Sequence, residues 1–384
     1  MSSNQINQIP DIAQRYGLQR ENFILDPLQD TECFARDDIK TQAVAESLDI
    51  DLVTGLAPKR LVWGPYGGGK THTLMRTMKE LAQLTPIHYV RIECPDLSKK
   101  SRFHDLYREG IMRALGQDFV IELIDEVVGS MPARRTEILD RLKEKFGDEE
   151  ITKAAVRIVD PGFDQLRLWA WISGVPLSRA ELGDLGQTQD LTQTEAARLA
   201  EIIILFGRLL REIRGQTLVL VLDEMERLTA IGSETIPTFV SGFTRLVDPN
   251  QKSVAVLIGA SSSVMSEMTE VFSESGPVTS RLGSAALIEV PALDGPDVDK
   301  FIKGVIAYVR DQDADVSSLV SKASAAESEH IELDFFPFTG EAIDTLKSHL
   351  THLMTPREIT LSMTRALGRA YRAKKPAITS DCIV

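Results

Sequence analysis

RLVWGPYGGGKTHTLMRTMKELAQL, residues 60–84, decides the fold of this chain. RLVWG at 60–64 reads as a short buried strand, and KTHTLMRTMKELAQL at 70–84 carries apolar residues at helical spacing. Between them GPYGGGKT fits the pattern G-x-x-x-x-G-K-[ST], with Gly64, Gly69, Lys70 and Thr71 at the fixed places. Strand, glycine loop and helix are the context this pattern requires. Small residues let successive backbone N–H groups wrap a β-phosphate, and the helix starting near Gly69 points its positive end at the anion. Lys70 is placed to reach β and γ oxygens and Thr71 to hold a magnesium ion. The expected contact run for ATP with Mg2+ is therefore Gly64, Pro65, Tyr66, Gly67, Gly68, Gly69, Lys70, Thr71 and His72. His72 lies inside the helix, and its side chain reads as a packing or surface residue.

Four more strands are predicted outward from this point: IHYVRIE at 87–93, TLVLVLDE at 217–224, VAVLIGAS at 254–261 and AALIEV at 285–290. The continuous apolar text of 217–224 is typical of a parallel strand buried on both faces, and helical text separates the strands. The fold class is α/β, a doubly wound five-stranded parallel sheet of the P-loop type. Asp223 and Glu224 close the third strand, at the carboxyl edge where ligands bind in such sheets. Asp223 is the expected magnesium partner, usually through water, and Glu224 the expected polariser of an attacking water. Glu226 is a weaker candidate.

More than a hundred residues separate the second and third strands, so a helical subdomain is expected as an insertion at about 97–191. Within it Trp169 and Trp171 read as core, and Thr192 to Glu195 as a capping box opening a long helix. Helices near 296–312, 339–350 and 356–373 predict an all-helical C-terminal lid. The expected division is 1–58 for a leading segment and helix, 59–293 for the nucleotide-binding domain and 294–384 for the lid.

Composition narrows the class. The 384 residues hold 43% hydrophobic and 26% charged side chains, which excludes extensive disorder. Three scattered cysteines, Cys33, Cys94 and Cys382, give no zinc or disulfide framework and fit a reducing cytoplasm. The first residues lack a secretory pattern and no membrane segment is expected. A net charge of −13 disfavours coating of nucleic acid by the whole surface. A local stripe of Arg365, Arg369 and Arg372, followed by Lys374 and Lys375, reads first as a solvated helix end and second as a nucleic-acid contact.

GPYGGGKT, LVLVLDE, a polar end to the fourth strand and a helical C-terminal domain together resemble an AAA+ ATPase. Within that superfamily FARDDIK at 34–40 is similar to the pre-strand box, and PFTGEAIDTL with TPREI to the lid, of origin-recognition and transposition-regulator ATPases. The resemblance implies ATP hydrolysis, with Arg357 as sensor 2, Ser261 rather than Ser262 as sensor 1, and Arg281 as an arginine finger. It also implies a homo-oligomer with ATP at its interfaces. WAWISG, LGDLG and the long helix before LVLVLDEMERL resemble ATP-binding proteins of prokaryotic phage-defence gene clusters. A protein partner docking on the insertion or lid, and an ATP-dependent DNA contact, are the expected partners. The chain leaves no room after the lid for a winged-helix domain, so autonomous sequence-specific DNA binding is not expected. The alternatives are a nucleotide-gated signalling switch of slow turnover and a P-loop small-molecule kinase, which would need an acceptor pocket and no arginine finger.

Overall fold

The computed structural model describes residues 12–33, 39–129, 143–144, 147–160, 162–261, 278, 287–350 and 354–383. In chain order its principal elements are α1 (Ile39–Val53), β1 (Lys59–Gly64), α2 (Lys70–Leu84) and β2 (Ile87–Glu93). Then follow α3 (Gln117–Gly129), α4 (Gln165–Ile172), α5 (Ala196–Arg214) and β3 (Thr217–Asp223). Next come α6 (Ile236–Leu246), β4 (Val254–Ser261) and β5 (Leu287–Glu289). Four helices follow: α7 (Gly295–Val309), α8 (Val316–Glu327), α9 (Gly340–His349) and α10 (Pro356–Arg372). The chain divides into two compact units, Ala43–Trp63 with Thr77–Glu289, and Met1–Gln42 with Gly64–Arg76 and Val290–Val384.

The first unit is built on a parallel sheet in the order β2-β3-β4-β1-β5. All seven residues of β3 and all eight of β4 are buried, which is why their text is continuously apolar rather than alternating. The β2–β3 register sets Arg91 opposite Val221 and Glu93 opposite Asp223, so charged side chains gather only where the strands run out. Helix α5 buries Leu199, Ile203, Phe206 and Leu210. It lies so near β4 that a Cβ on Gly207 would come 2.6 Å from the Ser253 carbonyl oxygen.

The insertion between β2 and β3 is helical, as expected, and its core is continuous with that of the sheet. One hydrophobic cluster runs from Leu220 and Ile258 in the strands through Phe103, Tyr107 and Trp171. Tyr107 donates its hydroxyl to the Ile172 carbonyl oxygen at 2.6 Å, and Phe103 meets Phe239 and Phe243 edge-on. Trp171 is buried and Trp169 half-buried, the core role predicted for them. The capping box expected at 192–195 does not form. Helix α5 begins at Ala196 with Glu195 as its cap residue, and Thr192 spends its hydroxyl on the Asp190 carboxylate two residues back. A local Asx turn has outcompeted the helix end.

The second unit packs α7, α9 and α10 around Ile302, Ile306, Ile343, Ile359 and Met363. Residues 12–33 belong to this core rather than to a separate leading segment, since Tyr16, Leu18 and Phe23 are buried in it. Tyr16 donates its hydroxyl to the Lys375 carbonyl oxygen at 3.0 Å, and the Phe23 amide donates to Thr364 Oγ1 at 3.0 Å. Helix α8 was not foreseen: it buries little beyond Val316 and Ala323, too few to set a periodic pattern. Among the described residues no helix is long and apolar enough to cross a membrane.

Candidate functional site

The glycine loop leaves β1 and enters α2 with Gly67 at φ +74° and Gly69 at φ +91°, conformations that bar most side chains. Lys70 is buried at the head of α2, and its Nζ donates to the carbonyl oxygens of Gly64 at 3.2 Å and Pro65 at 3.0 Å. The ammonium is thus curled over the mouth of its own loop. His72 is half-buried, its Nε2 3.1 Å from the Asp30 carbonyl oxygen, and burial holds its pKa below the ordinary imidazole value. That is the packing role the sequence suggested, fixed by a segment it had not placed.

Asp30 is itself a junction. Its carboxylate accepts a two-pronged contact from Arg20, at 2.9 and 3.0 Å, and a hydrogen bond from the Tyr308 hydroxyl at 3.1 Å. These bonds hold the carboxyl below its usual range against the opposing effect of burial. Arg76, one turn beyond His72, donates to the Thr31 carbonyl oxygen and pairs with Glu32. The leading segment is therefore tied to the first turns of α2 through His72 and Arg76.

The lid also reaches this loop. The Arg357 amide donates to the Gly67 carbonyl oxygen at 3.4 Å, and its guanidinium donates to the Tyr66 hydroxyl at 2.7 Å while lying 5.1 Å from the ring centroid. A Cβ on Gly67 would come 3.0 Å from that of Arg357.

At the carboxyl end of β3, within the sheet unit, Asp223 is buried and Oδ2 accepts from Arg91 Nε at 3.0 Å and from its terminal nitrogen at 2.8 Å. Oδ1 accepts the Glu224 amide at 3.0 Å. Glu224 adopts the left-handed conformation, φ 56° and ψ 35°, which is uncommon without a glycine and clusters at functional turns. Its carboxylate pairs with Arg227, which also contacts Glu93 and the Cys94 carbonyl oxygen. Burial raises the Glu224 pKa; Arg227 opposes that, and Glu93, Asp223 and Glu226 reinforce it.

Ser261, buried at the end of β4, donates to Glu226 Oε1 at 2.9 Å, while Oε2 of Glu226 is buried without a hydrogen-bond partner. The weaker acid of the sequence reading is thus the one that engages the candidate sensor. Arg281, Ser262 and residues 34–38 of the FARDDIK box lie outside the described residues. Sequence reasoning passed over Arg91 and Arg227. The signal for Arg91 was available, since an arginine amid apolar strand text needs a buried acid to meet it.

Each of Thr71 and Asp223 offers a hard oxygen of the kind magnesium takes, an ion that needs few protein ligands and keeps waters and phosphate oxygens for the rest. Among the described residues no group of three or more His, Cys, Asp or Glu forms an all-protein metal cage.

No family model matches the chain, and no curated protein matches it. Among solved structures it is similar to the Aeropyrum pernix ORC2 protein in its ADPNP–ADP complexes, at 13% identity and a TM-score of 0.48, over 95% of this chain and 70% of that one. It is similar to Drosophila ORC bound to DNA, at 12% identity and a TM-score of 0.44, over 100% and 69%. Cdc6p from Pyrobaculum aerophilum follows at 14%, 0.42, 88% and 63%. These are distant likenesses. The chain's own sheet order, inserted helices, helical lid and glycine loop define its class: an α/β fold with a parallel sheet of the P-loop type.

Proposed function

We propose that the chain is an AAA+ ATPase that binds ATP with magnesium on the Gly64–Thr71 loop, hydrolyses it, and works as a nucleotide-controlled assembly or regulator on a DNA-linked client. The observation that carries this reading is the loop itself: a complete GPYGGGKT with Gly67 and Gly69 at positive φ, between a buried strand and a helix. Glycines in those conformations and a buried lysine at the helix start suit a phosphate far better than they suit a structural turn. Lys70 would bind β and γ oxygens; Thr71 and Asp223 would hold the magnesium, which would neutralise phosphate charge. Glu224 would take the proton of the attacking water, and its burial-raised pKa brings it nearer the range of a useful base. Ser261, with Glu226, would fix the polar end of β4, and Arg281 would serve a neighbouring subunit's nucleotide. The likeness to phage-defence ATP-binding proteins supports a defence or mobile-element role.

Equilibrium binding and steady-state hydrolysis test this. Lys70→Ala is expected to lose most ATP affinity, and Glu224→Gln to bind ATP and turn it over at least a hundredfold more slowly, the order of a lost general base. Wild-type affinity in Lys70→Ala would remove the loop from the site. Wild-type turnover in Glu224→Gln would move the base elsewhere.

A further inference from the structure

Arg357 occupies an unfavourable place for a cation. It is the second residue of α10, whose first turn carries the positive end of the helix dipole. Helix stability is served there by Thr355 and Glu358: Thr355 Oγ1 accepts the Glu358 amide, and the acid complements the dipole. Arg357 contributes nothing to either. Nor does it neutralise an acid, since among the described residues its guanidinium meets the Tyr66 phenol and no carboxylate, in a chain with a net charge of −13. Its side-chain partner is Tyr66, in one of the positions the loop pattern leaves open.

Tyr66 is 66% exposed, so its ring is not there to fill a core. It offers the guanidinium a π face and a neutral acceptor, two contacts that fix direction without cancelling charge. The phenol takes one of the five N–H donors of the arginine, which leaves most of the fork for an anion. The backbone bond from Arg357 to Gly67 fixes the stem of the same side chain against the same loop.

We infer that Tyr66 is a positioning residue for Arg357: it holds the guanidinium, still charged, over the phosphate loop so that the lid's arginine is ordered before nucleotide arrives. This inference rests on the nucleotide reading above. The gain is entropic. A free arginine loses rotamer freedom when it binds a phosphate, and one already stacked has lost much of it.

The test is a double-mutant cycle on MgATP affinity by calorimetry, using wild type, Tyr66→Ala, Arg357→Ala and the double variant. Tyr66→Ala is expected to weaken MgATP about fivefold, the scale of a half-exposed cation–π contact. The double variant should bind no more weakly than Arg357→Ala alone. Tyr66→Phe, which keeps the ring and loses the hydroxyl, should recover about half of the loss. The unfolding midpoint without nucleotide should stay within a few degrees in all four, because the pair is exposed. Additive losses, or unchanged affinity in Tyr66→Ala, would overturn the positioning role while leaving the nucleotide site standing. A wild type that binds no MgATP would overturn the nucleotide reading first and this inference with it.

Discussion

Asp223 has its charge answered inside the sheet by Arg91, and that pairing makes a residue-scale prediction. The carboxylate side chain is 3% exposed and the guanidinium 20%, so removing the arginine takes a principal counter-charge from a buried carboxylate, at a cost of about 3 kcal/mol. Arg91→Met should therefore lower the unfolding free energy by roughly 3 kcal/mol, measured by denaturant titration. Magnesium with ATP should restore a larger share of stability in the variant than in the wild type, because a cation at Asp223 would then stand in for the lost guanidinium. Equal stabilisation of both proteins would separate Asp223 from the metal. Asp223 and Glu224 could be picked out from the strand that ends in them. Their arginines could not be paired from the sequence alone, since Arg91 and Asp223 stand 132 residues apart and meet only through strand register.

At the scale of elements, the lid helix α10 owes its start to Thr355, Pro356 and Glu358, each with a separate task. The Thr355 hydroxyl is buried and caps the Glu358 amide, and Pro356 stands at the first helical position, where a missing N–H costs nothing. Thr355→Ala should cost about 1 kcal/mol and Thr355→Ser should recover most of it, read from thermal or denaturant unfolding. A neutral Thr355→Ala would mean that packing, not the cap, sets the helix start. The TPREI text showed this start plainly because cap, proline and acid follow the helix rules in order. Strands β3 and β4 were equally plain, being apolar throughout. Helix α8 was hidden because it buries too few residues to set a pattern, and the placement of residues 12–33 because its burial depends on partners hundreds of residues away, as in the Tyr16 to Lys375 bond.

For the whole molecule, the acidic balance of the chain bears on its partners. The C-terminal cations are partly spent within the fold: Arg369 donates to the Cys382 carbonyl oxygen, and Lys375 pairs with Asp381 at 2.7 Å. That weakens the basic stripe as a nucleic-acid surface for a single chain. The arginine-finger proposal for Arg281 belongs at this scale. Arg281→Ala should bind ATP nearly normally and hydrolyse it about a thousandfold more slowly. Mixed with Lys70→Ala it should regain partial activity, since one interface would then combine an intact loop with an intact finger. Two inactive variants that co-assemble without complementation would return Arg281 to an ordinary surface role.

The unit that carries the glycine loop is assembled from three separate stretches of chain, and this has a consequence for biosynthesis. A ribosome delivers the loop early, but Thr355 and Arg357, which lie against Gly67, leave it hundreds of residues later. The sheet unit draws on residues up to Glu289, so it can condense while the remainder is still being translated. The loop must wait for α10 before its surroundings are complete. Under the proposed nucleotide reading, competence to hold ATP would come late to the nascent chain, and a chain stalled before residue 355 would carry the whole glycine-loop text without the helix that rests upon it.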